Sequence, residues 1–326
     1  MADDNGSLRL LVVNADDFGY CEQRNRGIVK SFQDGIVSSA SLLVNAESAL
    51  EAIQLSKKCG IPLGIHLNLT EGRPIKTHYK CLTSEEGFLR GKFGFREAVK
   101  NGEIDLDEVN FNIIMLLLFL NPKSFLVMTM QVKQEIQTQL EWFIDKVGSL
   151  PTHIDGHQHI HVIPQVCDVL AALMKKYGIN WTRIPVESNL EKCDLLDEQP
   201  KSFFKSVEKD ALIAKETFSR YGIRFTGHFI GLSTMGKYMV FQRLQQAFEN
   251  VFMQNNLTGS KPCSSCELMV HPGYKSIMGC GGCGEGPDVF ACSEERENEL
   301  TTLTSPQLKE YLRTSNIRLC SFKDLW

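Results

Sequence analysis

The sequence has no strong excess of charge of either sign and no uninterrupted apolar run long enough to span a membrane. Thirty-five Lys and Arg residues against 39 Asp and Glu residues leave a formal net charge of -4, which gives no electrostatic reason to expect nucleic acid or an anionic membrane as a partner. The most apolar stretch, residues 110–130, is broken by NPKS at 121–124, well short of the roughly 20 apolar residues that a transmembrane helix needs. These absences leave neutral or polar small molecules as candidate ligands.

The N-terminus also lacks the features of a secretory signal, and the cysteines cannot form a complete disulfide framework. Acidic residues stand in MADDNGSLRLLVV where a signal needs basic ones, and its apolar run is too short. Eleven scattered cysteines are an odd number, which favours a reducing compartment. We therefore predict a cytoplasmic protein. No internal repeat or low-complexity linker divides it, and we predict one domain over residues 1–326 with an atypical apolar segment at about 110–130.

Short apolar or β-branched runs alternate with segments of helical spacing, the pattern of parallel βαβ units. The predicted strands are residues 8–14, 37–44, 62–69, 152–157, 181–186, 225–232, 267–271 and, as a possible last one, 317–320. The predicted helices, each followed by a glycine expected as a left-handed stop, are residues 24–33, 47–58, 132–147 and 165–177. Seven or eight such units predict an α/β fold of the single-domain (β/α) barrel type, similar to a TIM barrel.

Polar side chains fall at the ends of four of these predicted strands. Asp16 and Asp17 follow the first strand, and His66 lies near the end of the third. His157 ends the fourth strand and His271 ends the seventh. In an α/β barrel all of these strand ends open on the same mouth, which is where active sites lie. We therefore expect these five side chains to contribute to one polar site.

The densest group of such residues is the run PTHIDGHQHIHVIP at 151–164. Its alternate positions are His153, Asp155, His157, His159 and His161. On an extended chain they would share one face, but at about 3.3 Å per residue the first and last would be roughly 26 Å apart. With the strand expected to end at Gly156, one or two of these histidines are predicted metal ligands and the others are their neighbours.

A bound cation would explain why two adjacent carboxylates end the first strand. Asp17, His66 and His157 offer one carboxylate and two imidazoles, and three protein ligands with an open position for water are typical of a catalytic metal. The cation would relieve the repulsion between the carboxylates and leave Asp16 free to act as a general base. The simpler alternative is that adjacent aspartates after a strand form only a turn and a helix N-cap.

Five motifs along the chain together resemble one known family. They are VVNADDFG at 12–19, GIHLNLTEG at 64–72, PTHIDGHQHIHVIP at 151–164, RIP at 183–185 and ELMVHPGY at 267–274. In this order they resemble the YdjC-like carbohydrate deacetylase family, which includes the chitooligosaccharide deacetylases, and the resemblance covers residue 8 to about residue 296. It implies a barrel-like fold and metal-dependent removal of acetyl groups from N-acetylated sugars, with a small acetylated carbohydrate as the substrate.

The resemblance also implies roles for individual residues. By motif position the family's metal ligands fall on Asp17, His66 and His157, and its catalytic aspartate falls on Asp16. Family members are described with Mg²⁺, whereas Zn²⁺ suits an Asp-His-His set at least as well by ligand type.

Cleavage of an amide also requires a proton donor. An amide nitrogen leaves only when it is protonated, so we predict His271 as the general acid. Asp155 and His153 are predicted to support an imidazole or to bind substrate, and Arg183 to bind substrate or to steady Asp16.

A segment rich in cysteine and glycine surrounds the last motif, at about residues 260–292. It contains CSSC at 263–266, CGGC at 280–283 and Cys292. The spacing resembles a structural zinc site, but the loop between the pairs is short and the pairs flank a predicted core strand. We therefore interpret GCGGCGEGP as a mobile loop near the mouth.

Two other functions remain open at the level of the sequence. One is a sugar-binding or protein-interaction protein with the same fold but weak or no activity. The other is a different metal-dependent hydrolase, although no basic cluster or Gly-rich phosphate loop accompanies Asp16 and Asp17 to hold a phosphoester. Closed barrels often self-associate through their helices, which makes a homodimer possible.

Overall fold

The chain forms a curled parallel sheet surrounded by helices, as seen in a computed structural model that describes residues 8–76, 79–101, 125–188, 190–192, 196–252 and 265–325. The strands are β1 (Arg9–Phe18), β2 (Ser39–Leu42), β3 (Leu63–Leu67), β4 (Ile154–Gly156), β5 (His228–Ile230), β6 (Ser265–Val270) and β7 (Ile317–Leu319). Six of them follow the order β4-β3-β2-β1-β6-β5, with every pair parallel, and β7 pairs with β1. The α/β class and the parallel sheet are therefore as predicted.

Helices follow the strands in the alternation that the sequence predicts. They are α1 (Glu22–Asp34), α2 (Ala49–Cys59), α3 (Gly91–Lys100), α4 (Phe125–Val147), α5 (Pro164–Tyr177), α6 (Glu198–Arg220), α7 (Phe241–Phe252), α8 (Glu295–Leu303) and α9 (Pro306–Thr314). The predicted helix at 132–147 begins earlier, at Phe125, so part of the apolar segment is helical. Residues 110–124 of that segment lie outside the described residues. Among the helices that the structure describes, none has the length and apolarity needed to cross a membrane.

The strand predicted at residues 181–186 is wrong as a continuous strand. Single parallel bridges stand in its place, and they join Thr182 to Ile154, Trp181 to Arg224 and Glu187 to Phe229. Pro185 has no backbone N–H to donate to a ladder, which is one reason that pairing is interrupted here. Because the bridges reach both β4 and the region of β5, this segment links the two ends of the sheet and gives it the barrel-like curl that the sequence predicts.

The central strand β1 divides the core into an outer and an inner part, because its successive side chains point to opposite faces. Leu11, Val13 and Ala15 join the large core under the helices. Leu10 and Val12 join a second cluster inside the curl, together with Trp181, Cys320, Phe322 and Leu325. The inner face then continues into Asn14 and Asp16, both buried. The interior thus changes from apolar at the amino ends of the strands to polar at their carboxyl ends, where the site lies.

Three of the four predicted glycine stops have the expected left-handed conformation. Gly60, Gly148 and Gly178 follow α2, α4 and α5 with φ between 74° and 82°. The prediction for Gly35 is wrong, since this residue has φ -119° and ψ -146° after α1. A Cβ atom at Gly35 would lie 2.6 Å from the carbonyl oxygen of Leu303. The close approach of α1 to the end of α8, and not a left-handed turn, therefore requires a glycine there.

Candidate metal centre and active site

Asp16 and Asp17 reach the same end of the barrel because β1 loses its regular pleat there. The register between β1 and β2 shifts between Ala15 and Phe18, and Asp17 has a left-handed backbone with φ 63°, which aspartate tolerates better than most residues. As a result His66 faces both carboxylates. Its Nδ1 lies 3.9 Å from Asp16 Oδ2, and its Nε2 lies 3.4 Å from Asp17 Oδ1.

Three donor atoms of the predicted ligand set converge at this point. Asp17 Oδ1 lies 3.2 Å from His157 Nδ1 and 3.4 Å from His66 Nε2, and these two ring nitrogens lie 3.4 Å apart. Ligands held tetrahedrally at about 2.0–2.1 Å from a zinc ion are themselves about 3.3–3.4 Å apart. Asp17 Oδ1 is also buried and accepts no well-formed hydrogen bond from the residues that the structure describes. The three atoms therefore fit a single metal ion.

Each imidazole is held by a carboxylate on the nitrogen that faces away from Asp17. His66 Nδ1 lies 2.8 Å from Asp155 Oδ1, and His157 Nε2 lies 2.8 Å from Glu71 Oε2. A carboxylate in this position keeps the proton on the nitrogen that it contacts and leaves a lone pair on the opposite nitrogen. In its neutral form each ring would therefore present its unprotonated nitrogen towards Asp17, as metal ligation requires.

Glu71 was not singled out from the sequence, although it lies within GIHLNLTEG, the motif that carries His66. After β3 the Asn68 side chain accepts hydrogen bonds from the backbone N–H groups of Thr70 and Glu71, which is the local turn that asparagine favours. This turn directs Glu71 back to the site, where Tyr20 donates a hydrogen bond of 2.9 Å to its carboxylate. An acidic residue shortly after a strand-end histidine is the signal that could have identified it.

The charges of the site favour a bound cation. Burial alone would raise the pKa of Asp17, but the neighbouring His157 and His66 hold it well below its ordinary value. Burial likewise opposes protonation of His157, yet Asp17 and Glu71 outweigh it and raise the pKa of His157 to about 10. Both pKa shifts show that the site favours positive charge, because the carboxylates of Asp17 and Glu71 attract it to the space between them. A metal ion would supply that charge in place of the imidazole proton.

A second group of side chains is also close enough to hold an ion, but its atoms are already occupied. It consists of Asp16, His66 and Asp155. Both oxygens of Asp16 accept hydrogen bonds of 2.6 Å from Arg183, and His66 Nδ1 faces Asp155. The set with Asp17 is therefore the better metal site, and Asp16 remains beside it.

Arg183 lies at the centre of a buried charge network and has no exposed surface. Its guanidinium makes two parallel hydrogen bonds to Asp16, a contact of 2.9 Å to Asp155 and a hydrogen bond of 2.7 Å to Glu267. One positive charge is therefore shared among three carboxylates. Burial, only partly offset by Arg183, raises the pKa of Glu267 to about 7. Arg183 therefore contacts Asp16 directly, while its predicted roles of steadying Asp16 or binding substrate stay predictions.

His271 reaches the same carboxylate from the end of β6. Its Nε2 lies 3.9 Å from Asp16 Oδ2, and its ring packs edge-on against Phe290 with centroids 6.2 Å apart. The backbone carbonyl of His271 accepts hydrogen bonds from Arg24 and Arg296. Burial and the charge of Arg296 lower the pKa of His271 to about 3, so its imidazole is neutral near pH 7.

The other histidines of the run 151–164 lie in three different places. The strand β4 is only three residues long, and a 3-10 helix (His157–Val162) with left-handed residues at Gln158 and His159 follows it. The alternating pattern therefore does not keep these side chains on one face. His153 is fully buried and stacks on Phe322 at 3.9 Å, away from the cleft. His159 lines the cleft, whereas His161 contacts the backbone carbonyl of Arg183 at 3.1 Å.

A cleft of about 520 Å³ opens over these residues. Asp16, Asp17, His66, His157 and His271 all line it, so the structure brings the five predicted metal and catalytic residues to one surface. Further walls are formed by the start of α3, the start of α6 and the loops after β5 and β6, and they are partly aromatic. The volume and the mixture of apolar and polar walls suit a small organic substrate.

The segment rich in cysteine and glycine lies beside this cleft but is fixed by hydrogen bonds. Gly282 N–H donates to the carbonyl of Tyr20, and Glu285 accepts from the N–H of Gly72. Cys283 is buried and Cys280 is exposed, while Cys263 lies outside the described residues. No cysteine belongs to a potential metal cluster in the part of the chain that the structure covers.

Comparisons with known proteins agree over nearly the whole chain. Residues 10–314 match the profile of the family described as YdjC-like protein. A human protein named carbohydrate deacetylase is 43% identical over 97% of this chain and 90% of its own length. A Serratia marcescens protein named chitooligosaccharide deacetylase is 29% identical over 97% of this chain and 99% of its own.

The fold is similar to that of a solved structure as well. A crystallised protein of Enterococcus faecalis V583, whose description names cellobiose-phosphate cleavage, superposes with a TM-score of 0.63 at 20% identity. The match covers 97% of this chain and 98% of the other. At this identity the likeness shows a shared fold and nothing about a shared reaction.

Proposed function

The chain belongs to the YdjC-like protein family and is an enzyme of the carbohydrate deacetylase type. From this premise we propose that it removes acetyl groups from N-acetylated carbohydrates with the help of one divalent metal ion. The observation that carries the metal dependence is the set of three donor atoms on Asp17, His66 and His157, spaced 3.2–3.4 Å apart. A small acetylated oligosaccharide is the proposed substrate.

Asp17, His66 and His157 would hold the metal, with Glu71 and Asp155 fixing the two imidazoles from behind. When bound, a divalent ion supplies Lewis acidity, which polarises the acetamide carbonyl and makes a water molecule easier to deprotonate. Two imidazoles and one carboxylate are ligands that favour Zn²⁺, whereas the family resemblance implies Mg²⁺. Both ions are therefore candidates for the site.

Asp16 is the proposed general base. It lies next to the ligand Asp17 and lines the cleft, and Arg183 fixes its orientation through two hydrogen bonds of 2.6 Å. Each carboxylate oxygen has two lone pairs, so Asp16 can accept a proton from water while it remains bonded to Arg183. Because Asp155 and Glu267 share the same guanidinium, Arg183 offsets the negative charge of Asp16 only in part.

His271 is the proposed general acid, which protonates the departing nitrogen at Nε2. This atom lies 3.9 Å from Asp16 Oδ2, close enough for a proton taken up by Asp16 to pass to the imidazole as the reacting groups close together. The lowered pKa of His271, caused by burial and by Arg296, makes its protonated form a ready proton donor to an amine. Leu232 and Met269 line the cleft near these groups and offer apolar contact to an acetyl methyl group.

The test is acetate release from a panel of N-acetylated mono- and oligosaccharides by protein that has been stripped of metal and reloaded with Zn²⁺ or Mg²⁺. Wild type is compared with Asp16→Asn, which keeps the shape of the side chain and all three proposed ligands. Loss of a general base lowers rates by about 10²–10⁴-fold, so the variant is expected to release acetate at no more than about a hundredth of the wild-type rate.

Metal content serves as the control in this experiment. Asp16→Asn should bind the same stoichiometry of metal as wild type, because Asp17, His66 and His157 are intact. A variant that retains full activity would exclude Asp16 as the base. A wild-type protein that binds metal but releases no acetate from any of the sugars would contradict the deacetylase proposal and favour a sugar-binding role.

A further inference from the structure

A large aromatic side chain stands exposed inside the cleft, near the start of α3. Phe93 is 60% exposed, although it lines the same cavity as Asp16 and Asp17. Exposed aromatic rings in a concave, partly polar site mark contact with a ligand more often than rings scattered singly over a convex surface. The proposed chemistry at the metal centre makes no use of Phe93.

Neighbouring side chains hold this ring in position. Phe203 of α6 packs against it in an edge-to-face arrangement, with centroids 6.1 Å apart and planes at 82°. The ammonium group of Lys92 lies 3.5 Å from the centroid of Phe203, and Phe204 contacts Phe203 at 5.8 Å. The ring is therefore part of a packed aromatic group and is available as a preformed surface, without the entropy cost of ordering a loose side chain.

A second contact of α3 connects this surface to the metal centre. Arg96 lies three residues after Phe93, so the two side chains share a face of the helix and their backbone positions are about 4.5 Å apart along its axis. Arg96 donates hydrogen bonds to Asp210 of α6 and to the backbone carbonyl of Gln158, at 3.2 and 3.1 Å. Gln158 directly follows the ligand His157. The helix that carries Phe93 is thus hydrogen-bonded to the residue next to the proposed ligand His157.

The walls around Phe93 suit a sugar ring better than a purely apolar ligand. A pyranose presents C–H groups on its face and hydroxyl groups around its edge. Asp197, Gln199, Lys237 and Glu295 line the same cleft and supply donors and acceptors for such an edge, while Phe93 supplies an apolar face. Phe93 lines the same cleft as Asp16 and Asp17. A ligand that lies against Phe93 would therefore be part of the substrate that reaches the metal centre.

We propose that Phe93 is a platform on which the sugar unit next to the acetylated unit stacks, so that this side chain determines the preference for disaccharides and longer chains over monosaccharides. The inference rests on the proposed deacetylase function and adds a specificity-determining residue to it. Phe93 makes no contact with the reacting atoms, so its effect belongs to substrate binding and not to the chemical step.

The kinetic test compares wild type, Phe93→Ala and Phe93→Tyr on N-acetylglucosamine and N,N′-diacetylchitobiose. For Phe93→Ala, KM for the disaccharide should rise about tenfold, as expected for the loss of one stacking contact, with a smaller change in kcat. The ratio of kcat/KM for disaccharide over monosaccharide should fall accordingly, and Phe93→Tyr should restore it. The matched control is Leu50→Ala, which truncates a residue of α2 that is 55% exposed and lies outside the cleft.

A binding measurement separates failure of this inference from failure of the proposed function. Calorimetric titration of N,N′-diacetylchitobiose into Asp16→Asn and into the double variant Asp16→Asn/Phe93→Ala requires no turnover, and Kd should be about tenfold higher in the double variant. Absence of acetate release by wild type overturns the proposed function, whereas an equal Kd in both proteins overturns the platform. A change in oligomeric state of Phe93→Ala on gel filtration, with saccharide kinetics unchanged, would likewise overturn it and assign the ring to a protein interface.

Discussion

Glu71 and Asp155 contact the two histidines of the proposed metal site through the nitrogens that face away from Asp17. Each contact is 2.8 Å long, and each carboxylate has further partners that fix it in turn. Tyr20 donates to Glu71, and Ser41 and Asn14 donate to Asp155. The rings therefore cannot rotate without breaking several buried hydrogen bonds, which keeps the opposite nitrogens of both rings aimed at Asp17.

Replacement of Glu71 by Gln should weaken metal binding by about 10–100-fold, the usual effect of removing a carboxylate that supports a ligating histidine. The amide keeps the size of the side chain, so the effect is electrostatic and not a packing defect. Competition of the metal-loaded protein with a chromophoric chelator measures the affinity. Glu216→Gln, an exposed glutamate of α6, is the matched control and should bind metal as wild type does. An unchanged metal affinity in Glu71→Gln would contradict the proposed role of Glu71 in supporting His157.

Replacement of His271 by Asn should impair amide substrates far more than substrates with a good leaving group. Amide cleavage needs a protonated nitrogen, whereas the phenolate of 4-nitrophenyl acetate leaves without a proton. We expect a loss of about 10²–10⁴-fold in kcat on an N-acetylated sugar and a defect at least tenfold smaller on the ester. Equal losses on both substrates would instead indicate that His271 serves only to shape the site.

The sequence predicted most of the residues that meet in the cleft because they lie at the ends of strands, and strand ends can be located from apolar periodicity. Asp17, His66 and His157 converge for that reason. What the sequence could not reveal was which histidines of the run 151–164 share a face. Their alternation assumes an extended chain, but the left-handed residues after β4 redirect the chain. His153, by contrast, lies at the amino end of β4 and packs on Phe322 in the inner core, below the cleft.

At the scale of whole elements, strands were predictable where apolar runs are continuous and helices where a glycine follows them. Every strand of the sheet overlaps a predicted strand, and only the segment at 181–186 lacks ladder pairing. Pairing there depends on partners at Ile154 and Arg224, which are distant in sequence, and no local pattern reports on such contacts. The requirement for glycine at position 35 likewise comes from the approach of α8. This is a tertiary contact, which the local sequence around a helix end does not reveal.

The strand β3 leaves no room for a side chain at Gly64, two residues before His66. A Cβ atom there would lie 2.3 Å from the imidazole of His153, which is itself stacked on Phe322. Gly64→Ala should therefore lower the free energy of unfolding by about 1–3 kcal/mol through overpacking, as measured by urea denaturation.

Gly94→Ala is the matched control for this substitution. Its new Cβ atom meets only Arg90 at 3.4 Å, in the interior of α3. Alanine in a helix is favoured over glycine by about 0.5–1 kcal/mol. The two substitutions should thus change the free energy of unfolding in opposite directions. A stabilising effect of Gly64→Ala would show that β3 and His153 can separate at little cost in free energy.

At the scale of the whole molecule, metal binding should raise the free energy of unfolding and therefore Tm. A metal present at 100 times its Kd adds about 2.7 kcal/mol to the folded state, which corresponds to a rise in Tm of about 5 °C for a chain of this size. Differential scanning fluorimetry with and without Zn²⁺ or Mg²⁺ measures the shift.

Asp17→Asn should abolish this shift, because it removes the charge of one proposed ligand. Asparagine tolerates the left-handed backbone at this position, so the fold should persist. Asp145→Asn, which changes an exposed aspartate of α4, should leave the shift intact. A shift of equal size in Asp17→Asn would place the metal elsewhere.

The central position of β1 has a consequence for how the chain is made. β1 binds β6 on one side, through Leu10 to Ala15, and β7 and β2 on the other, through its first and last residues. The ribosome releases Ser265 about 250 residues after Leu10, which takes roughly 10–50 s at cellular rates of elongation. Until then the edge of β1 that β6 will cover is open, and an open apolar edge is prone to pair with other chains.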